Sequence, residues 1–500
     1  MKKLFIPIVI ILTACSAFTA RQDTNISSPL QSYKLLSDRN PIVTHTFGAD
    51  PCVLVYNDRV YIYMTGDTLE YDIDGTVKTN TYGTINTLRV ISSSDLVNWI
   101  YHEPIKVAGH NGIAKWAARS WAPAITYKQI DGENKFFLYF SNNANGVGVL
   151  TAASPLGPWT DPLGRALITR QTPNCSDIPW VFDPGVFIDD DGKGYLYFGG
   201  GVPAGKEANP GTARVVELND DMISLAGDPI LIDAPFFFEA ANLNKIDGKY
   251  IFSYCTNWNV TDSARRELGI NNAVIAIMSS NSPLGPFVFE GTIFRNPGTF
   301  FGIWGNNHQE LFKFREKWYL AYHSQVLEDA MDIRGKGYRS VHIDAVTINN
   351  GRIMPITGTF KGVEQVQWLN PYNRHNGALS GNSAGLSFGS IQLTDSNELI
   401  EYADISDNGS WLGVFGVDFG GSGANSAIIN VRAAQRNRRY RIDIRLGSPS
   451  GEIIGTISNS FSPVFADYNI KLSRTINGVH DVFFVFHGGA LGFSRWQFFE

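Results

Sequence analysis

One unit recurs five times in the first 350 residues, and no other feature of the chain restricts its fold as tightly. Each copy has a distinctive residue at the opening of an apolar run, then a polar turn, then an aromatic-rich second run. The copies are ADPCVLVYNDRVYIYMTGD from Ala49, WAPAITYKQIDGENKFFLYFS from Trp121, FDPGVFIDDDGKGYLYFGG from Phe182, APFFFEAANLNKIDGKYIFSY from Ala234 and NNHQELFKFREKWYLAYHS from Asn306. The fourth copy carries Asp247-Gly248 between its apolar runs, a strong hairpin signal. The offset from opening residue to second run hardly changes: 11 from Asp50 to Tyr61, 12 from Ala124 to Phe136, 12 from Asp183 to Tyr195, 11 from Glu239 to Tyr250 and 10 from His308 to Trp318. Equal offsets in equal units mean equivalent positions in space.

The second runs start at 61, 136, 195, 250 and 318, so the repeat length is 75, 59, 55 and 68 residues. Strand-rich units of that length predict propeller blades rather than a solenoid. A second signature supports the repeat: SPLGPWTDP at 154–162 and SPLGPFVFEG at 282–291 are near copies, and SSSDLVNWIYHEP at 92–104 is a looser one. Five blades around an axis bring Asp50, Asp183, Glu239 and His308 to one end of a central channel. Like charges at close range raise one another's pKa, so such convergence destabilises a fold and points to function.

The start of the chain, MKKLFIPIVIILTACSAFTA, has two lysines, an apolar stretch and then small residues, the pattern of a secretory signal. The apolar stretch is too short for a spanning helix. Leu12-Thr13-Ala14-Cys15 resembles a bacterial lipobox, which implies cleavage before Cys15 and lipid on its sulfur. Residues 1–20 are thus expected to be a signal peptide with lipobox, and 21–40 a polar tether. The protein is expected to be an exported bacterial lipoprotein, periplasmic or associated with the outer membrane, with no membrane contact beyond the lipid anchor. The other cysteines, Cys52, Cys175 and Cys255, are odd in number and lack zinc spacing, so buried thiols are expected. A net charge of −6 without a basic stretch argues against a nucleic-acid partner.

Residues 41–360 hold the five units, and 361–371 read as a linker. From 372 to 500 the chain becomes short strands separated by Gly, Ser and Asn turns, the composition of a β-sandwich. That region offers no catalytic constellation, so an accessory binding module is expected. The fold class is all-β: a five-bladed β-propeller followed by a β-sandwich of jelly-roll type.

Paired carboxylates across a sugar ring can cleave a glycosidic bond if one is protonated and the other ionised. Glu239, after Phe236, Phe237 and Phe238, is the better acid; Asp50, before Pro51, is the better base. Asp183 would hold the proton on Glu239 by its negative charge. His308 could orient a carboxylate or ligate an ion. Trp116, Trp121 and Trp304 lie in loops near the blade openings, and aromatic faces beside carboxylates suit sugars. Trp121 and Trp304 are taken as substrate contacts, together with Arg339 in GYRSVHID.

The set ADP at 49, WAPA at 121, FDPG at 182, FEAANLNK at 238 and GNNHQE at 305 resembles glycoside hydrolase family 43. The resemblance implies a five-bladed propeller acting by inversion on arabinose- and xylose-containing polysaccharides. It implies Asp50 as general base, Glu239 as general acid and Asp183 as the tuning and orienting carboxylate. It implies no cofactor for the chemistry, and His308 near a structural calcium ion in the channel. The related invertase and levansucrase group carries an Asn-Asp-Pro-Asn-Gly nucleophile, which is GADPC here. A sialidase-type propeller would need an arginine cluster and a Tyr nucleophile at the blade openings. Residues 372–500 resemble a family 6 carbohydrate-binding module through GSWLGVFGVDFGGSGA, YRIDIRLGSPSGEIIGT and GVHDVFFVFHGG. Arg374-His375-Asn376 replaces that family's opening Glu-Ala-Glu, and Gly492 stands near its ligand-binding Asn.

The resemblances predict a monomeric α-L-arabinofuranosidase whose partners are arabinoxylan, arabinan or xylo-oligosaccharides of the plant cell wall. A β-D-xylosidase with the same site is the alternative, and a catalytically silent carbohydrate-binding propeller a more distant one.

Overall fold

The computed structural model describes residues 27–392, 399–435 and 438–500. The signal sequence and Cys15 lie outside the described residues.

All five predicted hairpins form, and each becomes the inner half of a blade. The inner strands are Ala49–Tyr56, Trp121–Ile130, Gly185–Ile188, Phe237–Ile246 and Gln309–Phe314. Each pairs antiparallel with the strand that follows it: Arg59–Thr65, Glu133–Ser141, Gly194–Phe198, Lys249–Thr256 and Lys317–Ser324. Thr87–Ser93, Val147–Ala152, Ala213–Leu218, Ile275–Ser280 and Ser340–Val346 are the third strands. The inner strands touch one another in chain order, and the first also touches the last, which closes the ring.

Alternation along the strands sends side chains into both neighbouring blade interfaces. Leu54 and Tyr63 pack with Phe137 and Tyr139 between blades 1 and 2. Val53 and Ile62 point the other way, to Phe312 and Tyr319 of blade 5. Phe237 and Phe252 meet Tyr195 and Tyr197 between blades 3 and 4, and Ile246 and Ile251 meet Leu311 and Leu320 between blades 4 and 5. Each fully buried Leu, Ile or Phe contributes about 1.5–3 kcal/mol. The aromatic second runs that mark the repeat are therefore the propeller's core.

The start of the described chain fastens this ring to its end. Ile42 N donates to Val341 O and Gly48 N to Arg339 O, each at 2.9 Å. The Asn40 amide donates to Ile343 O and accepts from Ile343 N, both at 3.0 Å.

The C-terminal sandwich has two sheets. One runs Leu386–Gln392, Leu399–Ile405, Leu491–Phe499, Ala424–Ala433, Ala466–Ile476; the other runs Asn382–Ala384, Trp411–Asp418, Val479–His487, Tyr440–Leu446, Glu452–Asn459. Trp411 is core: it is buried against Phe483, and its Nε1 donates to Leu30 O at 2.7 Å.

The two domains share structure. Leu379–Ser380 adds as an extra strand to Trp99–Tyr101 at the edge of blade 1. The Asn98 side chain caps both backbone groups of Phe415, donating to its O at 2.9 Å and accepting from its N at 2.8 Å. Here the structure departs from the expected tether. Residues 30–40 lie in the junction, where the buried Lys34 ammonium donates to the carbonyls of Pro41 and Ile42 at 2.8 and 3.2 Å. Polarity alone suggested a free segment, but its polar groups are satisfied by backbone. The 361–371 stretch is likewise held at both ends: Val366 N donates to Asp95 O, and Leu369 bonds Gly416 O and Asp418 N.

Candidate active site

Three acidic residues stand at the openings of inner strands at the same end of the ring, two of them at register irregularities. The pairing of Ala49–Tyr56 shifts register between Ala49 and Cys52, and that of Phe237–Ile246 shifts on both sides of Glu239. Bulges of this kind re-aim a side chain. Asp50 and Asp183 stand at φ 49 and 48, left-handed values that cost a non-glycine residue about 1–3 kcal/mol each. Compensating contacts hold them there. Asp50 N donates to His323 Nδ1 at 3.0 Å, and Asp183 N to Ser141 Oγ at 2.8 Å. The glycine of FDPG is required for a different reason: a Cβ on Gly185 would lie 2.1 Å from Ala241 O in the adjacent blade.

The three carboxyls line one cavity of about 520 Å³ with Tyr82, Trp121, Trp180, Phe238, Trp258 and Arg339. Asp50 Oδ1 accepts from Arg339 Nη1 at 2.9 Å, and its Oδ2 accepts from Thr65 Oγ1 at 2.8 Å. Burial alone would raise the pKa of Asp50. The Arg339 guanidinium, with the charge of His308, outweighs it and holds the carboxyl well below the usual range. Glu239 goes the other way. Burial, then the charges of Asp183 and Asp50, push its pKa well above the ordinary carboxylate value. Its Oε1 is buried without a hydrogen-bond partner. Of the three phenylalanines only Phe238 lines the cavity; Phe237 belongs to the blade core and Phe236 packs on Val260 and Ala264.

Asp183 Oδ2 accepts from Ala240 N at 3.2 Å, which ties it to the backbone beside Glu239. His308 Nδ1 stands 3.5 Å from Asp183 Oδ2 and 3.7 Å from Asp50 Oδ1. Burial would lower the His308 pKa, but its bond to Asp183 and the charge of Asp183 raise it on balance. His323, buried behind Asp50, has a lowered pKa, chiefly from burial. It accepts at Nδ1, so its proton sits on Nε2, which donates to Asn306 O at 3.0 Å.

Arg339 reaches the pocket as expected. Its clamp was not foreseen: the buried Asp67 accepts from Arg339 N, Nε and Nη2 at 3.1, 3.0 and 2.9 Å. An acid at the end of an apolar second strand, MTGD, was the available signal. Trp121 lines the cavity and donates from Nε1 to Tyr82 O at 3.1 Å. Trp304 does not line it. That ring lies over Gly298, and Gly305 and Asn306 occupy the rim instead. Trp116 packs on Phe140 and bonds Asp161, so it serves blade 2. Trp180 and Trp258, in long connections without a periodic pattern, were missed. For calcium at His308 the donors fit poorly. Calcium takes six to eight oxygens, and among the described residues no group of three or more His, Cys, Asp or Glu is placed to hold a metal ion.

Comparison with known proteins places this site in a family. Residues 38–353 match Glycosyl hydrolases family 43, and residues 391–499 match Carbohydrate binding module (family 6). The chain belongs to glycoside hydrolase family 43. It is 42% identical to an arabinoxylan arabinofuranohydrolase of Bacillus subtilis over 98% of both chains. A protein described likewise from Paenibacillus polymyxa is also 42% identical, over 93% of this chain and 75% of its own length. The crystal structure of a Bacillus subtilis arabinoxylan arabinofuranohydrolase in complex with cellotetraose superposes with a TM-score of 0.89 at 42% identity, covering 94% of this chain and 99% of that one. This family 43 member is a glycosidase, an all-β propeller with a family 6 sandwich, and its class of chemistry needs no cofactor.

Proposed function

We propose that the protein removes terminal α-L-arabinofuranosyl residues from arabinoxylan with inversion at the anomeric carbon. One observation carries the mechanism: a single cavity holds one carboxyl whose pKa is driven down, Asp50, and one whose pKa is driven up, Glu239, whose Oε1 is left without a partner. That pairing is what general base and general acid require near neutral pH.

In this reading a water held by Asp50 attacks the anomeric carbon and gives its proton to the carboxylate. The carbon–oxygen bond to the xylan chain breaks as Glu239 delivers its proton to the leaving oxygen. Asp50 ends protonated and Glu239 ionised, and exchange with solvent restores both. Asp183 keeps the Glu239 proton in place and orients the strand through Ala240 N. Arg339 and His323 aim Asp50. Trp121 and Phe238 supply apolar faces for the sugar.

The choice of arabinose and of arabinoxylan is supported by the relatives at 42% identity. Export and lipid attachment at Cys15 are part of the same proposal, and labelling with a radioactive fatty acid that is lost in Cys15→Ala tests them. No step runs through calcium. The mechanism is tested by proton NMR of the first product formed. Inverted configuration is expected, since water must fit between base and sugar at a carboxyl separation of roughly 6.5–9.5 Å. Retention at early times would overturn it.

A further inference from the structure

We infer that the junction of propeller and sandwich carries a second glycan site, a groove that holds the unbranched main chain of a β-linked polysaccharide away from the catalytic pocket. It rests on the reading of this protein as a polysaccharide-acting enzyme. A cavity of about 570 Å³ opens between the 361–368 stretch and the sandwich strands Trp411–Asp418 and Val479–His487. Lys361, Val363, Glu364 and Gln365 also line an adjoining cavity of about 440 Å³ that reaches blade 5. The shared residues set the two cavities side by side, with room for more than one sugar.

Trp368 lies in this groove with 55% of its surface exposed, although it sits in a tightly held segment. The next residue, Leu369, is hydrogen-bonded into the sandwich edge on both sides. The ring rests on Gly416, which has φ +59 and whose added Cβ would meet the Trp368 ring at 2.7 Å and Gln365 Oε1 at 2.0 Å. Glycine thus allows the indole to approach the backbone closely, giving a backed aromatic plate with much of its surface in solvent. Sugar C–H faces stack on such plates, and a large indole left in water carries a hydration cost that a bound sugar would relieve.

Hydrogen-bonding groups flank the plate. Asp481 lines the groove, fixed there by Oδ1 accepting from Gly416 N at 2.9 Å. Among the described residues, the side chains of Lys361 and Glu364 enter no hydrogen bond or ion pair, though both line the groove. Donors and acceptors of both kinds beside an aromatic plate match vicinal hydroxyls. The site exists only in the assembled protein, because the chain start at 37–39, the 361–368 segment and the sandwich strands each supply part of it.

The test is electrophoresis of the full-length protein through native gels containing soluble xylan stripped of arabinose. Wild type should be retarded, Trp368→Ala should lose about tenfold of the apparent affinity, and Trp368→Phe should regain most of it. The surface double variant Lys361→Ala with Glu364→Ala should be intermediate and serves if Trp368→Ala does not fold. Equal retardation of all four proteins, or none in wild type, would overturn the inference. Turnover of an aryl arabinofuranoside by wild type reports the catalytic reading separately. Xylan retention that depends on Trp368 in a protein without turnover would support the groove while sinking that reading, and turnover without retention would do the reverse.

Discussion

Arg339 Nη1 lies 2.9 Å from Asp50 Oδ1, and this contact helps drive the pKa of Asp50 down while that of Glu239 is pushed up. Without it burial would act on Asp50 as it acts on Glu239. Arg339→Met is therefore expected to raise the Asp50 pKa and bring the acid limb of kcat/KM up into the ordinary carboxylate range. A depressed pKa in the folded state gives stability present above the unfolded value near 3.9 and lost as pH falls through the folded value. The variant forfeits that contribution and leaves the buried Asp67 without a charged partner, holding only the backbone N–H of residue 339, at a cost of about 3–5 kcal/mol. Denaturant titration beside the pH profile checks both.

Glu239→Ala should discriminate between leaving groups. Loss of a general acid costs about 100- to 10,000-fold where the leaving oxygen needs a proton. Aryl arabinosides with a strongly acidic phenol should fall far less than arabinoxylan itself. Equal loss on both substrates would remove Glu239 from that role.

Asp183 is the largest charge acting on Glu239 after burial. Asp183→Asn should move the alkaline limb of kcat/KM to lower pH, and a move of one pH unit corresponds to about 1.4 kcal/mol of lost interaction. The stability sign is the reverse of that for Asp50. The raised Glu239 pKa favours the folded state below its unfolded value near 4.3, and this is lost as pH rises through the folded value. Glu239→Gln should flatten the fall in stability toward alkaline pH, read as Tm against pH.

The shared strand at Trp99–Tyr101, the Asn98–Phe415 pair and the 30–40 segment tie the two domains together at one junction. Calorimetry should show one cooperative transition for the protein from residue 27 to 500. Two resolved transitions would contradict that coupling.

The repeat made the propeller legible because a blade needs the same hairpin at the same offset each time, and Tyr61, Phe136, Tyr195, Tyr250 and Trp318 mark it. The site followed, since a residue at the opening of an inner strand must face the channel end. Residues placed by tertiary contact were not legible. Asp67 matters only because Arg339 arrives from 272 positions away. Trp180 and Trp258 come from connections whose path no local pattern dictates. Trp304 looked equivalent to Trp121, but it follows a short helix at Gly298–Phe301 that carries its ring over Gly298. The segment at 30–40 reads as polar linker because its buried residues, Lys34 and Asn40, are polar and satisfied by backbone, which side-chain composition does not show.

The most direct measurement is release of nitrophenol from para-nitrophenyl α-L-arabinofuranoside and from the β-D-xyloside, with Asp50→Ala as control. The account predicts clear preference for the arabinoside, abolished in Asp50→Ala. Preference for the xyloside would contradict the proposed substrate, and turnover unaffected by Asp50→Ala would contradict the mechanism.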